Sequence, residues 1–194
     1  MENDFFNTEN DAYKEQSSQK NMKKEVGEWV RSIVLAIVIA VVIRMFFFET
    51  FLVDGTSMFP TLQHNERLVV NKAVYYFREP QEGEIIVFNY QPRPRRDFIK
   101  RVVATEGDTV EIRDGDLLVN DQVVEEPYIK KNSMRDFGPV EIPEEHLFVL
   151  GDNRNNSMDS RDKEVGAVSL EQVRGKALVV FWPPFEVRAL GEES

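Results

Sequence analysis

The chain has 194 residues, enough for one domain of ordinary size with flanking segments. A hydrophobic share of 42% and a charged share of 30% are those of a globular protein, and a net charge of -10 argues against a nucleic-acid partner. The absence of cysteine removes disulfides, thiol nucleophiles and thiolate metal sites; with only His64 and His146 present, neither a metal centre nor any other cofactor is expected.

Residues 1 to 28 are read as a polar cytoplasmic tail. Runs such as Gln16-Ser17-Ser18-Gln19-Lys20 have the composition of disorder and are given no secondary structure. From Ile33 to Ile43 the chain is apolar without interruption. That core is shorter than the roughly 20 residues a spanning helix needs. Extended over residues 29–48, through Val30, Ser32 and Met45-Phe46-Phe47-Phe48, it reads as one N-terminal transmembrane helix, with Arg31 and Arg44 reaching the interfaces. A cleaved signal peptide fits less well, because no small-x-small site follows the apolar run. Lys14, Lys20, Lys23, Lys24 and Arg31 precede the span, whereas Arg67 is the first basic residue after Phe48. The asymmetry predicts a cytoplasmic N-terminus and a domain on the outer face of the plasma membrane.

Residues 49–194 read as mainly β, an antiparallel sheet or barrel-like domain. Arg67-Leu68-Val69-Val70-Asn71-Lys72 and Glu84-Ile85-Ile86-Val87-Phe88-Asn89 are short and rich in branched residues. Thr109 to Arg113 and Asp116 to Val119 flank Asp114-Gly115, a tight-hairpin signal, and Asn120-Asp121 marks a second turn before Gln122-Val123-Val124. Further strands are expected at His146 to Leu150 and Lys176 to Trp182. The basic stretch Gln91-Pro92-Arg93-Pro94-Arg95-Arg96 reads as a solvated loop.

Three segments carry chemistry. Ser57 lies in Gly55-Thr56-Ser57-Met58-Phe59-Pro60-Thr61-Leu62, where a serine before a proline ordinarily caps or turns. Lys100 lies in Asp97-Phe98-Ile99-Lys100-Arg101-Val102-Val103-Ala104, whose alternation places Phe98, Lys100, Val102 and Ala104 on one face. An ammonium among apolar neighbours loses hydration and with it its proton. A neutral amine of that kind serves as base to a serine. The third segment, Leu150-Gly151-Asp152-Asn153-Arg154-Asn155-Asn156-Ser157-Met158-Asp159-Ser160-Arg161, is too dense in polar groups for an idle strand exit. It offers a hydroxyl to hold the amine and an ion pair to hold the loop. His64 lies in the turn-like Gln63-His64-Asn65-Glu66 and His146 opens a strand, so neither is expected to be catalytic.

These three segments in order, with Arg44-Met45-Phe46 and Arg67-Leu68-Val69-Val70-Asn71-Lys72, resemble the motifs of bacterial type I signal peptidases, in the compact form of Gram-positive bacteria. The resemblance runs from the apolar segment to about Arg161. It implies Ser57 as nucleophile, Lys100 as general base and Ser157 as the hydroxyl that orients the amine. Asp159 and Arg161 are implied as the pair shaping the site, with Asp152 in support. The Ser57 backbone amide would donate to the oxyanion. Some members carry a serine two residues before the nucleophile as second donor; here that position is Gly55, and losing one donor costs about 3 kcal/mol. Phe51, Val53, Met58 and Ile99 are implied to line pockets for small residues before the cleavage point. The implied partners are signal peptides of exported preproteins and the lipid bilayer, near the secretion translocon. Two rivals remain: a self-cleaving Ser-Lys protein like the LexA repressors, and a catalytically silent relative that binds export substrates.

Overall fold

The computed structural model describes residues 27–44, 46–92, 96–129 and 134–191. Most of the tail (1–26) and the basic triplet 93–95 lie outside them. The chain divides into two compact units, residues 1–45 and 46–194.

In the first unit, residues 27–44 are helical (α1). Its apolar side chains, Ile33, Val34, Ile37, Val38 and Val41 among them, are exposed on every face. Eighteen residues rise only about 27 Å, and the run includes Glu28, Arg31 and Arg44. Among the described residues no helix is long and apolar enough to cross a membrane.

Among its described residues the second unit contains twelve strands: β1 (Phe48–Leu52), β2 (Arg67–Asn71), β3 (Ile85–Asn89), β4 (Asp97–Ala104), β5 (Thr109–Arg113), β6 (Asp116–Val119), β7 (Gln122–Val123), β8 (Phe137–Glu141), β9 (His146–Leu150), β10 (Val168–Ser169), β11 (Val173–Trp182) and β12 (Arg188–Ala189). The larger sheet has eight strands in the order β1-β2-β11-β3-β4-β9-β10, with β12 on β11, and the smaller four, β7-β6-β5-β8. All pairings are antiparallel. The domain is therefore mainly β, as the short branched segments and closely spaced turns predict. No pairing among the described strands joins β1 to β10, so the larger sheet is an open path and not a closed barrel.

Alternation sorts the larger sheet's side chains between two cores. Ile85 and Val87 join Val53, Met58, Leu62, Leu68 and Val70, with Ile99 packed against them. Ile86, Phe88 and Val102 join Leu147 and Val149, with Phe98 alongside. A β-bulge opposite β9 falls between Val102 and Ala104. The extra residue sends both Val103 and Ala104 into a third core with Val110, Ile112, Leu117 and Phe148. Ala104 thus leaves the face it was expected to share with Lys100.

Asp114 (φ 55°) and Gly115 (φ 87°) both take positive φ, the pair of conformations a two-residue hairpin needs. Phe48, expected at the end of the apolar segment, opens β1 instead, and β11 begins three residues earlier than Lys176. β8 was not expected, because Gly138-Pro139 reads as a breaker. It forms at an edge of the smaller sheet, where proline's missing N–H costs no ladder bond.

Candidate active site

The site begins where β1 ends. Val53 N–H donates to the Glu66 carbonyl (2.8 Å) and Asn65 N–H to the Val53 carbonyl (2.9 Å), so the two ends of the 53–66 loop are clamped together. The loop reverses at Gly55, whose φ of 104° suits glycine. Met58 and Leu62, buried in the core below, pin its far side. Ser57 is left at the surface of a cleft of about 400 Å³.

Across the cleft, β4 presents Lys100. Its register opposite Ile86 sets it on a covered face, and the side chain is only 3% exposed. Nζ donates to Ser57 Oγ at 2.8 Å and to the Ile99 carbonyl at 2.9 Å, and lies 5.2 Å from the centre of the Phe98 ring. Burial draws the amine down from the ordinary 10.5 to about 8; the Asp159 and Asp152 carboxylates pull it part of the way back. In the neutral state the same short contact lets Ser57 O–H donate to the nitrogen lone pair. The arrangement is thus able to move a proton from a hydroxyl to an amine near neutral pH.

Segment 151–161 holds the serine loop from the other side. Asn153 N–H donates to the Ser57 carbonyl (2.9 Å), Asn153 Nδ2 to the Thr56 carbonyl (3.0 Å) and Asn156 Nδ2 to Thr56 Oγ1 (2.9 Å). Asp159, fully buried, accepts both Arg161 Nε and Nη2 at 2.8 Å and also Gly151 N–H at 3.1 Å. Arg161 reaches the Arg154 carbonyl at 2.7 Å, closing the loop on itself. Gly151 fits where nothing larger does: a Cβ there would strike Ser157 Oγ and come within 2.5 Å of the Ser57 carbonyl oxygen.

The residues expected from sequence are placed unequally. Ser57, Lys100, Val53, Met58, Ile99 and Gly55 all line the cleft. Phe51 does not; it packs against the core beside Leu68 and Val70, because alternation in β1 turns it inward. Ser157 Oγ is buried and has no hydrogen-bond partner among the described residues. The amine's bonds go to Ser57 and to the Ile99 carbonyl instead. Asp152 is buried beneath the loop, where it accepts Arg101 Nε (3.0 Å) and Nη2 (2.8 Å) as well as the Thr61 hydroxyl. Ser57 N–H has no acceptor among the described residues.

Sequence reading missed Arg101 and the pair Arg154–Glu126. Arg101 is 1% exposed and lies 3.7 Å above the Tyr128 ring. The signal was present: its neighbour Lys100 points to one face, so Arg101 must point to the other and needs a buried carboxylate there. Which carboxylate it meets depends on a return of 51 residues. Arg154 donates to Glu126 (2.7 and 2.5 Å) and to the Gly151 carbonyl (3.0 Å), tying the site loop to the segment after β7.

The site thus holds a serine hydroxyl in short contact with a buried amine on a mainly β scaffold. The family model described as signal peptidase, peptidase S26, matches residues 26–182. Signal peptidase I S of Bacillus subtilis (strain 168) is 40% identical over 177 residues, covering 86% of this chain and 94% of that protein. Probable signal peptidase I-2 of Synechocystis sp. is 38% identical, covering 93% of this chain and 83% of that protein. A crystal structure of a signal peptidase I from Enterococcus faecalis V583 is 32% identical, covering 51% of this chain and 97% of that one, with a TM-score of 0.45. This chain belongs to the signal peptidase, peptidase S26, family.

Proposed function

We propose that this protein is a serine endopeptidase that removes N-terminal signal peptides from exported preproteins, with Ser57 as nucleophile and Lys100 as general base. The observation that carries the roles is the 2.8 Å contact between Lys100 Nζ and Ser57 Oγ, made by an amine whose burial holds it near 8. Ser57 Oγ attacks the carbonyl carbon of the scissile peptide while its proton passes to Nζ. The resulting oxyanion is received by Ser57 N–H. Collapse expels the amine of the mature protein, which takes the proton from Lys100, and water then attacks the ester with Lys100 again as base. Asp159, Arg161 and Asp152 hold the loop that seats the serine, and the role of orienting the amine falls to Ser157.

The substrate is an extended strand. β4 pairs with β9 only from Arg101 onward, so Asp97 to Lys100 keep a free edge, and β1 is the outer strand of its sheet. The last residue of β1 and the chain after it, from Leu52 to Thr56, line the same cleft. A peptide laid between these edges gains main-chain bonds from both. Val53, Met58 and Ile99 beneath it leave room for small side chains.

The membrane reading rests on the exposed apolar side chains of residues 30–43. With the apolar segment ahead of β1 as anchor and the β domain as the catalytic part, that domain lies on the outer side of the plasma membrane, close to the translocon. Peripheral extraction at alkaline pH tests it: retention in the membrane fraction is expected, release overturns it. The chemistry is tested by N-terminal sequencing of the product of a preprotein. The wild type should release one new N-terminus after a small residue, and Ser57→Ala and Lys100→Ala none; cleavage surviving in either variant removes that residue from its role.

A further inference from the structure

The amide two residues before the nucleophile is already engaged. Gly55 N–H donates to His64 Nδ1 at 3.0 Å, and the same nitrogen lies 3.7 Å from an Asp54 carboxylate oxygen. Gly55 has nothing within 4 Å of where a Cβ would project, so no side chain at that position steadies the turn. The steadying group comes from the turn at 63–66, which is itself fixed. Glu66 accepts Gln63 N–H at 2.9 Å and both Arg188 Nη atoms at 2.7 and 2.8 Å, and Arg188 also donates to the Thr61 carbonyl at 2.7 Å. A braced turn therefore carries an imidazole onto the most pliable peptide of the serine loop.

We propose that His64 is a positioning residue for the Gly55–Ser57 segment, accepting the Gly55 N–H through an unprotonated Nδ1. The proposal rests on the reading of Ser57 as nucleophile and Lys100 as its base. A ring nitrogen bearing a proton cannot accept an N–H, and Asp54 stands ready to take the new donor. The other charged groups around the turn are Glu66, on the turn itself, Glu186, which lies against it, and Arg188 from β12, which pairs with Glu66. With Gly55 freed, the glycine regains conformations that the bond had denied it. The Ser57 N–H, donor to the oxyanion, shifts with the peptides that lead to it. The engaged Gly55 N–H is not itself the second oxyanion donor.

The test compares kcat and KM against pH for wild type, His64→Asn and His64→Ala, cleaving a signal-peptide substrate. Asparagine keeps an acceptor near the Nδ1 position and does not titrate. Above the lysine's value of about 8, His64→Ala should lower kcat about fivefold with KM little changed, as for one lost hydrogen bond, and His64→Asn should recover most of it. Equal kcat in all three proteins, or a loss in His64→Ala that asparagine does not recover, overturns the positioning role. A wild-type profile with no acid limb near the lysine's value would instead overturn Lys100 as base, leaving the asparagine rescue to decide His64.

Discussion

The two sheets bury different things. The smaller contributes Val110, Ile112, Leu117 and Val119 to an apolar core. The larger buries an apolar core too, but within its β4–β9 region it also hides Lys100, Arg101, Asp152 and Asp159. Burying a charge is costly unless it is paired and hydrogen-bonded. Arg101 meets Asp152 in a bidentate pair, and Asp159 meets Arg161 in another. Lys100 is treated differently: among the described residues it has no ion-pair partner, only a hydroxyl and a carbonyl. Arg101 and Asp159 thus each meet a counter-charge directly, whereas at Lys100 the Asp159 and Asp152 carboxylates act only from a distance.

The largest effect expected is at Lys100. Lys100→Met should lower kcat/KM by about a thousandfold or more, as removal of a general base does, and yet raise stability. The folded amine titrates near 8 against an ordinary 10.5. Between those values the unfolded state binds more protons, so stability of the wild type should climb with pH across this window, by about 3 kcal/mol. Below it the buried charge is a full penalty, which methionine removes. Urea unfolding of both proteins across that range measures this directly; a wild type without the climb would mean that the amine is not desolvated.

Arg101→Met leaves Asp152 buried without its partner and should cost about 3 to 5 kcal/mol, read from the unfolding midpoint. A loss under about 1 kcal/mol, the ordinary worth of an exposed pair, would show that the pairing rule for this sheet is wrong. Gly151→Ala tests the packing of the site loop. With Ser57 carbonyl oxygen 2.5 Å from the new Cβ, either the serine loop or Ser157 must move. Activity should fall about a hundredfold with the circular dichroism spectrum retained.

The smallest effect on catalysis is expected in the smaller sheet. Gly138 has φ 86° and a Cβ there would lie 2.5 Å from the Val110 carbonyl oxygen. Gly138→Ala should therefore cost about 2 kcal/mol of stability while kcat/KM of the folded enzyme stays unchanged. A parallel loss of activity would mean that the Arg154–Glu126 link carries strain from one sheet to the other.

Much of this was legible in the chain. The branched runs, the Asp114-Gly115 turn and the lysine on an apolar strand are local properties, set by side-chain shape, period and backbone preference. β8 was missed because Pro139 forbids an interior ladder, and only assembly shows it to be an edge. The position of β11 between β2 and β3 was equally out of reach, since Val173–Trp182 pairs across about a hundred residues. Phe51 is expected in the cleft from the family resemblance, but it packs against the core beside the β1–β2 pairing.

The sequence by itself determined the inventory: a serine in a glycine-bearing turn, a lysine on a buried strand, a polar loop, and an apolar segment ahead of them. Those follow from composition and period, which need no partner. Only the tertiary structure decided the pairings, such as Arg101 with Asp152, Arg154 with Glu126, Gly55 with His64, and Lys100 with Ser57 and the Ile99 carbonyl. A buried polar group must be satisfied by whatever the fold brings within 3 Å or so, and that distance is set by the packing of whole strands.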